Sequence, residues 1–592
     1  MYIQKLNAFK KSLSYCSRAF LCIGICFLLL TQNAHAQSFL GNSPGVLEEH
    51  RQKQFEQEER KRLMPSPQDT PAPPAEPALP EEDVWLPEGE TPCFEIRKIT
   101  LEGDASKRFQ FTLKAAGKVF ATGESDSPIG KCLGTRGVNL VLKRIQNAII
   151  RAGYVTTRVL ASPQGLKDGE LKLMLVPGRV RSIRFQKDIR PRVTTWNTIP
   201  ARPGDILNLR DIEQGLENLK RAPTAEADFE IVPAGQDGKP GESDLIIAYK
   251  QNFPFRVSAS FENSGRKATG RYLASGNLSF DNPLGLSDLF YVSGTFTPVE
   301  GDPNPGRTHS YALGYSVPFR NWSLSIHADH YEYLQTQPGY HQSFAYSGTQ
   351  DSMDARLSYM LYRDAHRKLL VFAGVGLKEI HNFVDDTEIM VQRRRTTTAL
   401  AGFSHREYIG EGFLNAEVTL SQGANAFGAL PAPEESYGEG VSRPTIYLAS
   451  LELDYPFKLK SLSLRFHSQA NGQYSSQPLT PVDRFSIGGR YTVRGFTGDA
   501  TLMAESGLVW RNDLGIELRK SGQELYVACD YGVVNGPSAR WLPGRSLTGG
   551  VVGIRGGYKY FSYDLFAGVP LNAPKGFEAD PLVCGFRVSA AF

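Results

Sequence analysis

Two periodicities divide the chain. From about residue 251 to the end, apolar and polar residues alternate in short runs separated by Gly, Pro, Asn and Asp clusters. Trp322, Leu324, Ile326 and Ala328 alternate with Ser323, Ser325, His327 and Asp329; Leu462, Leu464 and Phe466 with Ser463, Arg465 and His467; Tyr563 and Leu565 with Ser562 and Asp564. Successive side chains of a strand point to opposite faces, so each run predicts a strand with one apolar and one wet face. A soluble sandwich alternates too, but roughly 340 residues of strand without a helical interruption would make an unusually large one. Divided among 16 strands, the segment allows about 21 residues per strand and turn, which suits membrane strands of about 10 residues with alternately short and long connections. The expected fold class is therefore a transmembrane β-barrel of about 16 antiparallel strands over 251–592. In its last run Cys584, Phe586, Val588, Ala590 and Phe592 share one face, and Gly585, Arg587, Ser589 and Ala591 the other.

Upstream the texture is mixed. Residues 93–177 read as strand FEIRKITL, a helix near 108–120, helix VNLVLKRIQNAIIRAG, then strands YVTTRVL and ELKLMLV. Val138, Leu142, Ile145 and Ile149 fall on one helical face. Residues 178–250 repeat the theme with VRSIRF, a helix at 208–221, DFEIV and DLIIAYK, which predicts two α+β modules in tandem. Ahead of them, residues 43–64 contain strong helix formers but only Val46, Leu47, Phe55, Leu63 and Met64 as sizeable apolar groups. At about 1.5 Å per residue such a helix reaches about 33 Å, close to the ~30 Å of a bilayer's hydrocarbon core. It would fit a water-filled pore, or lie solvated and partly disordered. The proline-rich stretch at 65–92 predicts an extended linker.

Residues 1–36 run from basic (Lys5, Lys10, Lys11, Arg18) through the apolar segment 19–30 to Ala34-His35-Ala36, the order of a secretory signal. No later stretch approaches 18 uninterrupted apolar residues. Of the seven cysteines, Cys93, Cys132, Cys529 and Cys584 lie beyond the signal. An oxidising compartment allows a Cys93 to Cys132 bridge within one small module, the alternative being two buried thiols. The net charge of +4 over 592 residues gives no sign of nucleic-acid binding. The ten histidines lack metal-ligand spacing, and there is no H-E-x-x-H, G-x-S-x-G or G-x-x-x-x-G-K-[ST], so neither enzyme chemistry nor a metal or nucleotide cofactor is expected. His327 and His467 are expected to face the lumen.

The stretch GGRYTVRGF at 488–496 frames one charged side chain, Arg494. Gly488, Gly489 and Gly495 let a long loop fold back on itself, and Tyr491, Val493 and Phe496 give its tip something to pack with. An arginine inside a barrel needs acceptors for its five donors. In LYVACDYGVV, alternation places Ala528, Asp530 and Gly532 on one face and Val527, Cys529 and Tyr531 on the other; lipid rejects the aspartate, so its face is the lumen. A guanidinium can meet that carboxylate through two parallel bonds. Local chemistry alone does not single the pair out, because arginine beside glycine is common in loops and Asp-x-Gly is common in turns.

FSIGGRYTVRGF resembles the signature loop of the two-partner secretion transporters, the TpsB proteins of the BamA-like superfamily. Val493, Arg494, Gly495 and Phe496 match its V-R-G-F element. Asp530 and Gly532 match the aromatic-x-Asp-x-Gly motif, with Ala528 in the aromatic position. Residues 43–64 resemble the family's plug helix, and 93–250, opening on CFEIRKITLEG, two POTRA domains. FRVSASFENSGRKATGRY and LSFDNPLGLSD resemble its first barrel hairpin, and the terminal strand ending on Phe592 the assembly signal of outer-membrane barrels. The resemblance implies an outer-membrane pore with periplasmic POTRA domains that exports a large unfolded TpsA-type exoprotein, an adhesin or haemolysin, without ATP. It implies an Arg494 to Asp530 latch, and outer-membrane lipid and the barrel-assembly machinery as further partners. Client capture would use POTRA edge strands, with helix 208–221 and strand 228–232 bordering a groove. A barrel-assembly factor of the same superfamily, or a passive porin or receptor, are the alternatives.

Overall fold

The computed structural model describes residues 44–64, 84–119, 123–186, 192–235, 238–298, 306–518 and 521–592. The signal expected over 1–36 and most of the linker, 65–83, lie outside the described residues. Among those described, no helix is long and apolar enough to cross a membrane.

Sixteen long antiparallel strands, from Phe255–Glu262 to Val583–Ala591, pair in chain order and close into a barrel. The seam runs from Ser258 opposite Ala591 to Glu262 opposite Arg587. Several strands exceed the expected length: Trp322–Pro338, Ser343–Arg363 and Arg367–Val384 have 17, 21 and 18 residues. Their pairing runs on at the end away from the modules, to Pro338 opposite Ser343 and Val384 opposite Tyr346. Alternation sorts the faces as expected. Tyr311, Leu313, Trp322, Met353, Leu525 and Val527 are exposed on the outside, whereas His327, Asp329, Asp454, Asp513 and Asp530 are buried inside. His467 turns inward with Nδ1 3.3 Å from Asp454.

The first module has a three-stranded sheet, Lys98–Glu102, Glu170–Val176 and Arg158–Ala161 in that spatial order, covered by the helix Thr135–Arg151. The row that the helix buries fully is Val141, Ile145 and Ile149, spaced by four; Val138 and Leu142 flank it, partly buried. The helix expected at 108–120 is instead the short α-helix Ser106–Phe109 followed by a 3-10 turn, Gln110–Ala116. Thr112 Oγ1 donates to the Phe109 carbonyl at 2.7 Å, a local bond that competes with the helical ladder. Cys93 and Cys132 are joined by a disulfide beside the pairing of Phe94 with Leu133.

The second module orders its strands Arg179–Phe185, Glu242–Gln251, Ala225–Pro233. Its helix, Leu209–Leu219, starts at Asn208, whose side chain accepts from Arg210 N. Leu209, Ile212, Leu216 and Leu219 pack on the sheet. The opposite face docks on the barrel: Arg363 Nε donates to Glu213 (3.1 Å) and Nη2 to Glu217 (2.8 Å), Lys368 pairs with Glu217, and Asn218 Nδ2 donates to Arg320 O (2.8 Å). The helix expected to border a client groove thus gives part of its polar surface to the barrel's turns. The second edge of Ala225–Pro233 pairs with no strand among the described residues.

Candidate functional site

The loop between the strands Leu462–Tyr474 and Ser506–Glu517 folds into the lumen. A small ladder, Phe485–Ile487 against Leu502–Ala504, forms its neck and leaves residues 488–501 as the tip. Thr492 Oγ1 tightens the tip by accepting from Gly488 N (3.1 Å) and Gly489 N (3.0 Å). Val493 and Phe496 are buried among Ile487, Leu502, Leu547 and Phe577, with Phe496 edge-on to Phe577 at 5.7 Å.

Arg494 is the polar centre of this packing. Nε and Nη2 donate to the two oxygens of Asp530, each at 2.7 Å, and the Arg494 amide donates to Oδ2 at 2.9 Å. The tip lies flat on the wall because the wall is smooth there. Gly495 has φ +101°, and a Cβ on it would stand 2.6 Å from Val569 O. A Cβ at Gly532 would meet Val493 at 2.7 Å, and one at Gly549 would collide with the Arg494 carbonyl.

Sequence reasoning missed a second acceptor. Nη2 also donates to Asp513 Oδ1 at 2.5 Å, and Asp513 accepts from Arg555 Nη1 at 3.0 Å. Arg555 reaches Glu524 at 2.6 Å, and Arg511 Nε stands 3.9 Å from Asp530. Three cations therefore interleave with three carboxylates, which suits a guanidinium with more donors than one carboxylate accepts. Alternation in SGLVWRNDLGIE marks Arg511 and Asp513 as inward, but register is needed to bring them to Arg494: Arg511 lies opposite Asp530 and Asp513 opposite Ala528. At the aromatic position Ala528 packs on Tyr526, Val551 and Phe566. Tyr526 supplies the inward ring two residues earlier, with Arg555 Cζ 4.7 Å from its centroid and its hydroxyl donating to Asp564 at 2.8 Å.

The helix Pro44–Leu63 fills the lumen beside this tip. Its N-terminal end lies against Tyr331, Tyr333 and Tyr346, at the barrel end away from the modules. Its partners explain the missing apolar stripe, since they are mostly polar. Glu48 is fully buried and accepts from Arg51 Nε (2.7 Å), Thr269 Oγ1 (2.8 Å) and Tyr331 OH, with Arg266 at 3.7 Å. A ring nitrogen of His50 lies 2.9 Å from the Pro481 carbonyl. Lower down, Arg60 meets Asp354 at 2.7 Å and Glu59 meets Arg587 at 2.6 Å. Phe55 stands edge-on to Tyr491 at 6.3 Å, and Tyr491 OH donates to Glu262 at 3.3 Å. The helix, the loop tip and both strands of the seam therefore meet at one place. The charged residues of 43–64 gave no sequence signal for their partners on the barrel, because those lie more than 200 positions away.

Phe592 closes the seam from outside. Its amide donates to Val257 O at 2.8 Å, and its ring lies exposed on the outer wall 5.3 Å from Tyr560. Among the described residues no group of three or more His, Cys, Asp or Glu could hold a metal ion.

Residues 241–556 match the family described as haemolysin secretion/activation protein ShlB/FhaC/HecB, residues 94–178 the ShlB-type POTRA domain, and residues 179–233 a POTRA domain. The outer membrane transporter CdiB-2 of Burkholderia pseudomallei (strain 1026b) is 34% identical over 543 residues, covering 88% of this chain and 89% of that protein. The solved structure of CdiB from Acinetobacter baumannii aligns with a TM-score of 0.82 at 28% identity, over 94% of this chain and 100% of that one. CdiB from Escherichia coli aligns at 0.77 and 26%, with the same coverage.

Proposed function

The chain belongs to the ShlB/FhaC/HecB family of haemolysin secretion/activation proteins and is an outer-membrane transporter of the two-partner secretion type, and from that premise we propose how it moves its client. The client is a large unfolded exoprotein, an adhesin or haemolysin in kind. It is taken up in the periplasm by the POTRA domains, most simply by adding an extended segment to the open edge of Ala225–Pro233, where backbone groups await partners. The helix Pro44–Leu63 then leaves the lumen, and the client passes through the space it vacates. On this reading the chain divides into a signal at 1–36, plug helix at 43–64, linker at 65–92, POTRA domains at 93–177 and 178–250, and barrel at 251–592.

One observation carries the proposal: the lumen is stoppered by a helix whose contacts are mainly hydrogen bonds and ion pairs. Water can replace each of these, so departure exposes little apolar surface. Folding of the client outside supplies direction, each folded segment opposing backward sliding. The latch of Arg494 with Asp530 keeps the tip on the wall while the helix moves, and the strand ending on Phe592 is the element offered to the barrel-assembly machinery. Deleting residues 44–63 and recording single-channel conductance tests the stopper: the deletion opens a large steady conductance. An unchanged closed channel would refute it. A barrel-assembly factor would instead change the outer-membrane protein inventory when the gene is removed, whereas loss of one exported protein alone supports transport.

A further inference from the structure

The second module carries an exposed ring that the transport reading does not use. The short helix Thr195–Thr198 presents Trp196 with 55% of its surface open, a large apolar area on a periplasmic module. The helix is clamped between two turns of the barrel. Asn197 Nδ2 donates to Leu286 O (2.8 Å) and Pro318 O (3.3 Å), while the Arg320 amide donates to Asn197 O (2.5 Å) and Arg320 Nε to Trp196 O (3.1 Å). The barrel wall therefore sets where the indole points.

It points along the barrel's lipid-facing surface. The ring stands edge-on to Phe319, centroids 5.7 Å apart. Phe319 is the last residue of Arg307–Phe319, exposed on the outer face and paired with Trp322, which rests on Tyr359 at 4.6 Å. Further round the same rim lie Phe255 on Phe280 and Tyr560 beside Phe592. These rings form the periplasmic girdle, the level at which amphipathic aromatics favour a membrane interface. Trp196 continues that girdle outward from the wall. Leu284 is exposed in the turn to which Asn197 is bonded, two residues before Leu286. Two cations accompany them: Arg320, with Cζ 5.5 Å over the Phe319 ring, and Arg192, which is exposed and whose carbonyl accepts from Asn282. Apolar groups flanked by arginines match phospholipid, with acyl chains below and phosphate at head-group level.

We propose that Trp196 and Leu284 enter the periplasmic leaflet of the outer membrane, with Arg192 and Arg320 at its phosphates. The second POTRA domain is thereby tied to phospholipid as well as to the barrel, and its tilt beneath the pore is fixed by two independent surfaces. Continuity with the lipid-facing wall selects this occupant over a protein partner, which would have to displace the bilayer at the girdle.

The test is tryptophan emission of the full-length protein in liposomes of phospholipids brominated at shallow or deep acyl positions. Subtracting the Trp196→Ser spectrum isolates the indole. The expected difference emission is blue-shifted, shielded from aqueous iodide, and mostly lost with shallow bromine. If Trp196→Ser fails to assemble, the variant retaining only Trp196 (W85F, W322F, W510F, W541F) reports the same emission directly, with a variant retaining only Trp85 as the water-exposed control. An emission that is red-shifted, quenched by iodide and indifferent to bromolipid overturns the proposal.

Discussion

Replacing Arg494 by alanine leaves Asp513 buried with no donor from the loop and Asp530 with only the backbone amide of residue 494. Removing one partner of a buried ion pair costs about 3–5 kcal/mol, because the other charge stays desolvated. Two neighbours soften the loss, since Arg511 stands 3.9 Å from Asp530 and Arg555 3.0 Å from Asp513. The lower end, about 3 kcal/mol, is therefore the expected cost, which shifts the tip away from the wall by about 10²-fold. The barrel's ladders do not pass through Arg494, so the variant should still assemble and show heat-dependent gel mobility. Export, measured as exoprotein in the medium, should stop. Arg494→Lys should recover little, because a single ammonium cannot hold both carboxylates in two-point contact. Full export by Arg494→Ala with the tip still shielded from protease would refute the reasoning.

Gly549→Ala should reproduce the Arg494→Ala phenotype without altering any charge, because its Cβ collides with the Arg494 carbonyl; Gly276→Ala, with open space around it, should export normally. Glu48→Ala unpairs Arg51 and Arg266 at the far end of the helix, and single-channel recordings should show frequent openings where the native protein is closed. Hydrogen bonding from Arg181, outweighing burial, holds the Asp244 carboxyl at about 2, below its ordinary 3.8, so its contribution to the second POTRA domain is complete above 3.8 and vanishes as pH falls through 2. Protease resistance of that domain should fall across this window, and Asp244→Asn should flatten the dependence. Removing the bridge across the 39-residue separation of Cys93 and Cys132 should destabilise the first POTRA domain by about 4 kcal/mol, read as faster proteolysis of that domain under reducing conditions.

What a sequence reveals here depends on the range of the interaction. Alternation is local, so the inward aspartate at 530 and the outward Val527 and Tyr531 were legible, as were two α+β modules from their helical and strand periods, which the family resemblance identified as POTRA domains. Pairing register is not local. Asp513 was missed: alternation in its strand can mark it as inward, but only the ladder that sets it opposite Ala528 brings it to Arg494. Residues 43–64 were legible as a helix without an apolar face, yet no pattern within them names Tyr331, Asp354 or Arg587 as partners. The docking of Leu209–Leu219 on the barrel was hidden for the same reason. Glu213 and Glu217 lie on the helix expected to border a client groove, and nothing near them in the chain names Arg363 and Lys368, some 150 residues later, as their partners.

The direction of the helix in the lumen has a mechanical consequence. Its first residues sit at the outer mouth, and its last residues continue through the chain to the periplasmic modules. A pull from below that unwinds the helix from Leu63 upward therefore loads its attachments one after another. Arg60 and Glu59 give way first, Phe55 next, and His50 and Glu48 last. The attachments fail in sequence like the teeth of a zip, so the force at any instant need only exceed the strongest single tooth.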